Sequence, residues 1–386
     1  MKEVLIITSY YPPEIGAASN RIFHLAEGLR DRDFYVSVIT PLPNYPTGKI
    51  FKEYKGKIKK TSFENDVKIH RLWIYASNST NKFKRLLAMI SYSVSLIWFI
   101  ATHKIPKTVI VQSPPLLVAF TCMFFLRSDR QLILNVSDLW PSAGLELGAF
   151  KKNISYKFLE WLERFNYRKA TLVLGQSNEI LNHVLKIVPD KKTFLYRNFP
   201  QFVMPEIINE GTPTNKLRIV YAGLLGVAQG IYALCNKLDY TNAELHLYGS
   251  GAETYKIVDF INKNPDLPIF YHGELKRENL HKELLKYDLT IIPLMKRIYG
   301  SVPSKIFEYS RLGLPILYFG GGEGEDIVND HQLGWVAENR NYDALNEVLK
   351  KIDIADLTEE LRSRIKEVAE KEFDFLSQLN ELTHHL

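Results

Sequence analysis

The residues best placed to do chemistry stand close together in SVPSKIFEYSRLGLP, Ser301–Pro315. The stretch reads as a loop, a helix and a stop, and runs straight into an apolar strand, Ile316–Phe319. Pro303 has the φ suited to a first helical turn, and Ser301 or Ser304 is a cap for the free N–H groups there. Gly313 and Pro315 close the helix. A helix opening from a loop points N–H donors and partial positive charge at whatever lies in front of it, which favours a phosphate. Lys305 adds a full charge in that turn, where a cation is mildly unfavourable, and Glu308 follows one turn later. A bound diphosphate would account for Lys305; so would a surface helix with a snorkelling lysine.

Other candidates lie on βα loops. Strand Val4–Tyr11 runs into PPEIGAASN and a helix, Arg21–Arg30, with Gly16 letting the backbone approach a ligand closely. The loop is not GxGxxG, so no dinucleotide fingerprint is present. Asp138, in SDLWPSAGLELG, sits just past the strand Leu132–Val136, with Trp140 and Pro141 stiffening the turn. That edge carries function in doubly wound sheets, although a capping or turn-forming aspartate fits as well. The second half has three glycine-bearing βα loops, Gly223–Gly230, Gly249–Gly251 and Gly320–Gly324. Three such loops beside a helix N-terminus imply a nucleotide-diphosphate pocket. The nearest D-x-D, Asp31–Asp33, ends a helix away from that edge and reads as a surface turn, so no metal is expected.

Elements positioning these residues follow from the pattern. Strands and helices alternate through both halves of the 386 residues, which implies an α/β fold of two doubly wound, parallel Rossmann-like domains facing a cleft. The divisions are 1–200, a Pro-rich linker 201–215, a second domain 216–370, and a C-terminal helix 371–386 returning to the first domain. Residues 1–200 hold 29 Lys+Arg against 15 Asp+Glu, whereas 201–386 hold 20 against 28. The basic half therefore faces something anionic, and without a nucleic-acid signature the membrane comes first. Leu86–Ala101 carries no charge and is flanked by Lys82, Lys84, Arg85 and Lys104; it is either a buried helix or one lying partly in a membrane interface. Cys122 and Cys235, far apart in apolar surroundings, read as buried thiols in a reducing compartment. No secretory signal precedes the first strand.

Taken together, VYAGLLGVAQG, LYGSG, FYHGEL, LTIIPLM, VPSKIFEYSRLGLPIL and GEGEDIV resemble, in order and spacing, the retaining glycosyltransferases of family 4, which have the GT-B fold. SYYPPEIGAASNR and SDLWPSAGLELG are similar to the same family, nearest its fucosamine-transferase-like bacterial subgroup. The resemblance implies transfer of a sugar from a UDP-sugar, a substrate and not a cofactor. Glu308 matches the second glutamate of the E-x7-E motif, which binds the ribose hydroxyls. The backbone at His272 and Gly273 falls where the family reads the base, and Gly16 on the loop that closes on the diphosphate. Gly223, Gly226, Gly249, Gly251 and Ser304 complete the expected donor site.

Departures from the family pattern are specific. Gly300 replaces the first glutamate, Leu224 and Gln229 replace the phosphate-binding Arg and Lys, and QSPPLL lacks the usual histidine. Other cations must then serve: Lys305 first, with Arg297 and Arg197 as further phosphate contacts. The expected mechanism is metal-independent front-side attack, with Lys305, the helix N-terminus and loop N–H groups stabilising UDP, and Asp138 orienting or deprotonating the acceptor. The expected acceptor is a polyprenyl-diphosphate-linked saccharide at the inner face of the cell membrane. Competing readings are a nucleotide-sugar-binding scaffold and a UDP-sugar epimerase.

Overall fold

The computed structural model describes all residues except 1, 80, 147, 149, 150 and 206–215, and only the backbone of Lys82. Most of the linker expected at 201–215 therefore lies outside the described residues. The chain forms two compact units: Met1–Asn198 with Ile298–Ser301 and Leu376–Leu386, and Phe199–Arg297 with Val302–Phe375.

Unit 1 runs β1 (Lys2–Ile7), α1 (Ala17–Arg30), β2 (Phe34–Pro41), β3 (Lys59–Glu64), β4 (Val67–Leu72), α2 (Lys82–Thr102) and β5 (Thr108–Ser113). It continues with α3 (Leu116–Phe125), β6 (Gln131–Val136), α4 (Ser142–Glu146), α5 (Ile154–Lys169), β7 (Leu172–Gly175), α6 (Asn178–Ile187) and β8 (Thr193–Leu195). The sheet order is β3-β4-β2-β1-β5-β6-β7-β8. Its central strands are near-continuous apolar runs because helices cover both faces. The order reverses between β1 and β5, so the loops after those strands flank the natural ligand crevice. One strand departs from the parallel arrangement expected of the first domain, at the edge of its sheet. There β3 pairs antiparallel with β4 across a turn whose central residues, Asn65 and Asp66, both have positive φ.

The helix expected at 86–101 is buried on one face only. α2 has 21 residues, and Asn81 caps it by accepting from the Phe83 N–H at 2.9 Å. Tyr92, Leu96 and Phe99 face the core, but the opposite stripe is exposed.

Unit 2 contains β9 (Leu217–Ala222), α7 (Ile231–Lys237), β10 (Ala243–Tyr248), α8 (Thr254–Lys263), β11 (Ile269–Gly273), α9 (Arg277–Leu284) and β12 (Leu289–Pro293). Then come α10 (Lys305–Arg311), β13 (Ile316–Phe319), α11 (Glu323–Asp330), β14 (Gly334–Val336), α12 (Tyr342–Lys350) and α13 (Glu359–Glu372). All six strands are parallel in the order β11-β10-β9-β12-β13-β14, and the reversal falls between β9 and β12. The last helix, α14 (Phe375–Thr383), lies almost wholly in unit 1. There Arg32 donates to the Asn380 side chain and the Leu376 carbonyl, and Gln378 bonds the Arg197 backbone. Cys122 and Cys235 are free thiols in the two apolar cores, and burial pushes each up to about 12.

Candidate active site

In unit 2 the glycine loops are stitched to one another. The Gly223 N–H donates to the Tyr248 carbonyl, that of Leu225 to Ser250 and that of Gly249 to Gly273, at 2.7–2.9 Å. The Gly251 N–H donates to Thr254 Oγ1, and the Gly226 carbonyl accepts from Gln229 and Gly230. A Cβ on Gly249 would run into the Gly223 carbonyl, and one on Gly251 into the Leu225 carbonyl. The amides of Gly223 and Gly249 thus serve neighbouring loops, and that of Gly251 the first residue of α8. The glycines are needed for backbone-to-backbone packing.

The opening of α10 also differs. The helix has seven residues and starts at Lys305, and neither Ser301 nor Ser304 caps it; Ser304 is itself right-handed helical and makes no side-chain capping bond. Lys305 turns back instead. Its Nζ donates to the Ala222 carbonyl at the end of β9, lies 3.4 Å from Tyr309 Oη, and sits over the Tyr221 and Tyr309 rings. Burial lowers the Lys305 pKa, while Glu308 opposes that shift and Arg277 reinforces it.

Glu308, one turn on, is the best-defined group. His281 Nε2 stands 2.7 Å from its Oε1, and Arg277 donates to the same oxygen from Nε at 3.2 Å. Burial alone would raise its pKa, but the His281 hydrogen bond and the charges of Arg277 and Lys305 prevail and hold it at about 2. All these contacts fall on Oε1, which leaves Oε2 to accept from a ligand. Phe202 packs on His281 (ring centroids 4.2 Å apart) and lies under the Arg277 and Arg311 guanidinium groups. The sequence reading missed Arg277 and His281, although their spacing of four puts both on one face of α9.

His272 is exposed on β11; its ring stacks on that of Tyr248 (centroids 4.6 Å apart), and its Nε2 lies 2.9 Å from His246 Nδ1 in the same plane. One ring face and Nε2 are thus engaged within the protein. The Arg297 guanidinium packs against Gly322, at the start of α11. Leu224 is exposed, and Gln229 Oε1 is buried without a partner.

In unit 1, Asp138 follows β6 and is pushed up by burial, against which Arg21 pulls down. Arg21 is buried, donates from Nη1 to Gln176 Oε1 at 3.1 Å, and has no partner at Nε or Nη2. Gln176 also receives Arg197, through its backbone carbonyl at 3.5 Å. Asp138, Arg21 and Arg197 thus gather at the carboxyl edge of β6 and β7. Gly16 precedes α1 in extended backbone, where a Cβ would meet the Tyr45 ring at 3.9 Å, and no side chain caps that helix. Gly300 belongs to this unit too. Its N–H donates to Glu179 (2.8 Å), its carbonyl accepts from Ser177 (2.7 Å), and a Cβ would stand 2.9 Å from Ile180. Among the described residues, no cluster of His, Cys, Asp or Glu could hold a metal ion.

Comparison with known proteins agrees with this architecture. The profile of the Glycosyl transferase 4-like domain matches residues 16–195, and that of Glycosyl transferases group 1 matches 205–372. No curated protein sequence matches. Among solved structures, sucrose-phosphate synthase from Thermosynechococcus elongatus superposes with a TM-score of 0.76 at 12% identity, covering 100% of this chain and 98% of that one. S. aureus TarM in a complex containing UDP gives 0.66 at 13%, and Anabaena HepE with UDP and glucose gives 0.65 at 13%; each covers 100% of this chain and 99% of the other. The two profiles leave only the chain ends and a short central segment unmatched, and the paired sheets account for the structural likeness. The chain belongs to the glycosyltransferases of the GT-B fold.

Proposed function

We propose that this glycosyltransferase moves a hexose derivative, with retention at the anomeric carbon, from a UDP-sugar to a polyprenyl-diphosphate-linked saccharide. The observation that carries the donor reading is Glu308, held ionised beside Lys305 where the order of the second sheet reverses. A carboxylate with one oxygen engaged and one available suits the paired hydroxyls of a ribose. Lys305 and Arg277 supply charge for a diphosphate. The presence of UDP in the TarM and HepE structures supports the same donor class.

In the reaction, the bond from the anomeric carbon to the β-phosphate oxygen breaks, and the acceptor oxygen forms its bond on the same face. UDP leaves with the electron pair, and Asp138 is the base that receives the acceptor proton. The fucosamine-transferase-like resemblance favours an N-acetylated or 6-deoxy hexosamine. The basic first half favours a lipid-carried acceptor at the cytoplasmic membrane face, in bacterial surface-polysaccharide synthesis (O-antigen or capsule).

A binding scaffold without turnover is the second reading, favoured by Leu224 in place of a phosphate-binding arginine and by loop amides spent on neighbouring carbonyls. One assay separates the two. UDP released from a panel of UDP-sugars, against GDP- and dTDP-sugar controls, supports transfer; tight UDP binding with no release from any donor overturns it.

A further inference from the structure

We infer that the outer face of α2, α3 and α5 docks into the headgroup region of an anionic phospholipid bilayer. This deepens the lipid-carrier reading above, on which the choice of membrane partner rests; the face itself is an independent observation. Residues 83–87 at the start of α2 are all exposed, Phe83 to 82%. The stripe continues through Leu87, Ile90, Val94 (60% exposed) and Trp98 (54% exposed), all one face of the helix. α3 packs beside α2 and α5 beside α3, bringing Phe124 and Phe125 to the same surface. Partly buried Phe120 joins them to α5, its ring within 5.6 Å of Phe124 and of exposed Trp161. Exposed Phe158 stacks on Trp161, ring centroids 5.8 Å apart. A soluble monomer seldom exposes so extended an apolar patch, and interfacial tryptophan suits the headgroup level.

Charge selects the occupant. No Asp or Glu occurs between Asp66 and Asp129, whereas Lys84 and Arg85 open α2 and Lys104 and Lys107 follow it. Lys151 and Lys152 lead into α5; the exposed Glu160 is one acid among these bases. An apolar stripe rimmed by lysine and arginine matches an anionic interface. α2 is long and apolar enough to cross a membrane, but Tyr92 Oη donates to the Thr8 carbonyl at 2.9 Å and Leu96 is fully buried in the core. Crossing would strip that side from the sheet, so the helix lies along the bilayer.

The test is flotation of the full chain with vesicles of phosphatidylcholine alone or mixed with phosphatidylglycerol, brominated lipid reporting tryptophan depth. The expected result is flotation with the anionic vesicles, quenching by brominated lipid, and loss of both in W98S/W161S, with partitioning down ~10-fold or more and melting unchanged. L87S/V94S, at exposed positions, is a second variant should the first misfold. Salt-sensitive flotation without quenching would mean adsorption by charge alone and overturn the inference. So would partitioning indifferent to both variants, or a dimer in buffer that these substitutions dissolve while vesicles capture nothing. UDP release is read in parallel. Flotation without release sinks the transfer reading and keeps the face; release without flotation does the reverse.

Discussion

The Lys305 ammonium occupies the space a side chain on Gly223 would need: a Cβ there would stand 2.8 Å from Nζ. Gly223 has φ +153, so even alanine is strained as well as crowded. Gly223→Ala should push Lys305 off the Ala222 carbonyl and cost about 1–3 kcal/mol of stability. UDP affinity by calorimetry should fall ~10-fold or more. Unchanged affinity would mean that the position of Lys305 does not matter to the donor.

Glu308 links stability to pH. Its folded pKa, about 2, lies below the ordinary 4.5, so its contribution is complete above pH 4.5 and lost as pH falls towards 2. The shift corresponds to about 3 kcal/mol. Glu308→Gln should weaken UDP binding ~10-fold or more and flatten the fall in stability between about pH 5 and 3. Denaturant titrations of both proteins at each pH check it.

Asp138 and Arg21 are coupled through charge. Asp138→Asn should lower kcat ~10²–10⁴-fold while leaving UDP affinity within about a factor of three. Arg21 lowers the Asp138 pKa against burial, so Arg21→Gln should raise it and move the acid limb of the kcat–pH profile to higher pH. An unmoved limb in a folded variant would leave Arg21 a purely structural role.

Restoring the family glutamate should fail. Gly300→Glu puts a side chain against Ile180 and Leu139 at a residue with φ +86. We expect melting to drop by several degrees, about 1–3 kcal/mol, with no gain in UDP release. A more active, equally stable variant would show that the site tolerates the residue.

Sheet architecture was legible because strand and helix periods alternate cleanly, and each glycine loop falls where a βα turn must be. The β3–β4 hairpin was missed because its lysine-rich strand, KKTSFE, lies at an edge, half in water, where composition reads as loop; the Asn65–Asp66 pair was the signal. Glu308 was legible from its place in a motif. Its partners were not, because His281 and Arg277 reach it across the β12 crossover and sequence spacing says nothing of that contact. Lys305 was given either a diphosphate or a solvated surface because a cation at a helix start lacks a local partner, and the Ala222 carbonyl that engages it belongs to a strand far back in the chain. The sequence did not show that Gly249 and Gly251 also let neighbouring loops touch.

The placement of α14 constrains how the protein is made. Arg32 and Arg197 find their partners at Asn380, Leu376 and Gln378, so the first-built half is completed by residues translated after the whole of the other. A fragment ending near 198 is therefore an unfinished body with an uncovered flank, and the nascent chain must hold that flank open until the ribosome has delivered the closing helix.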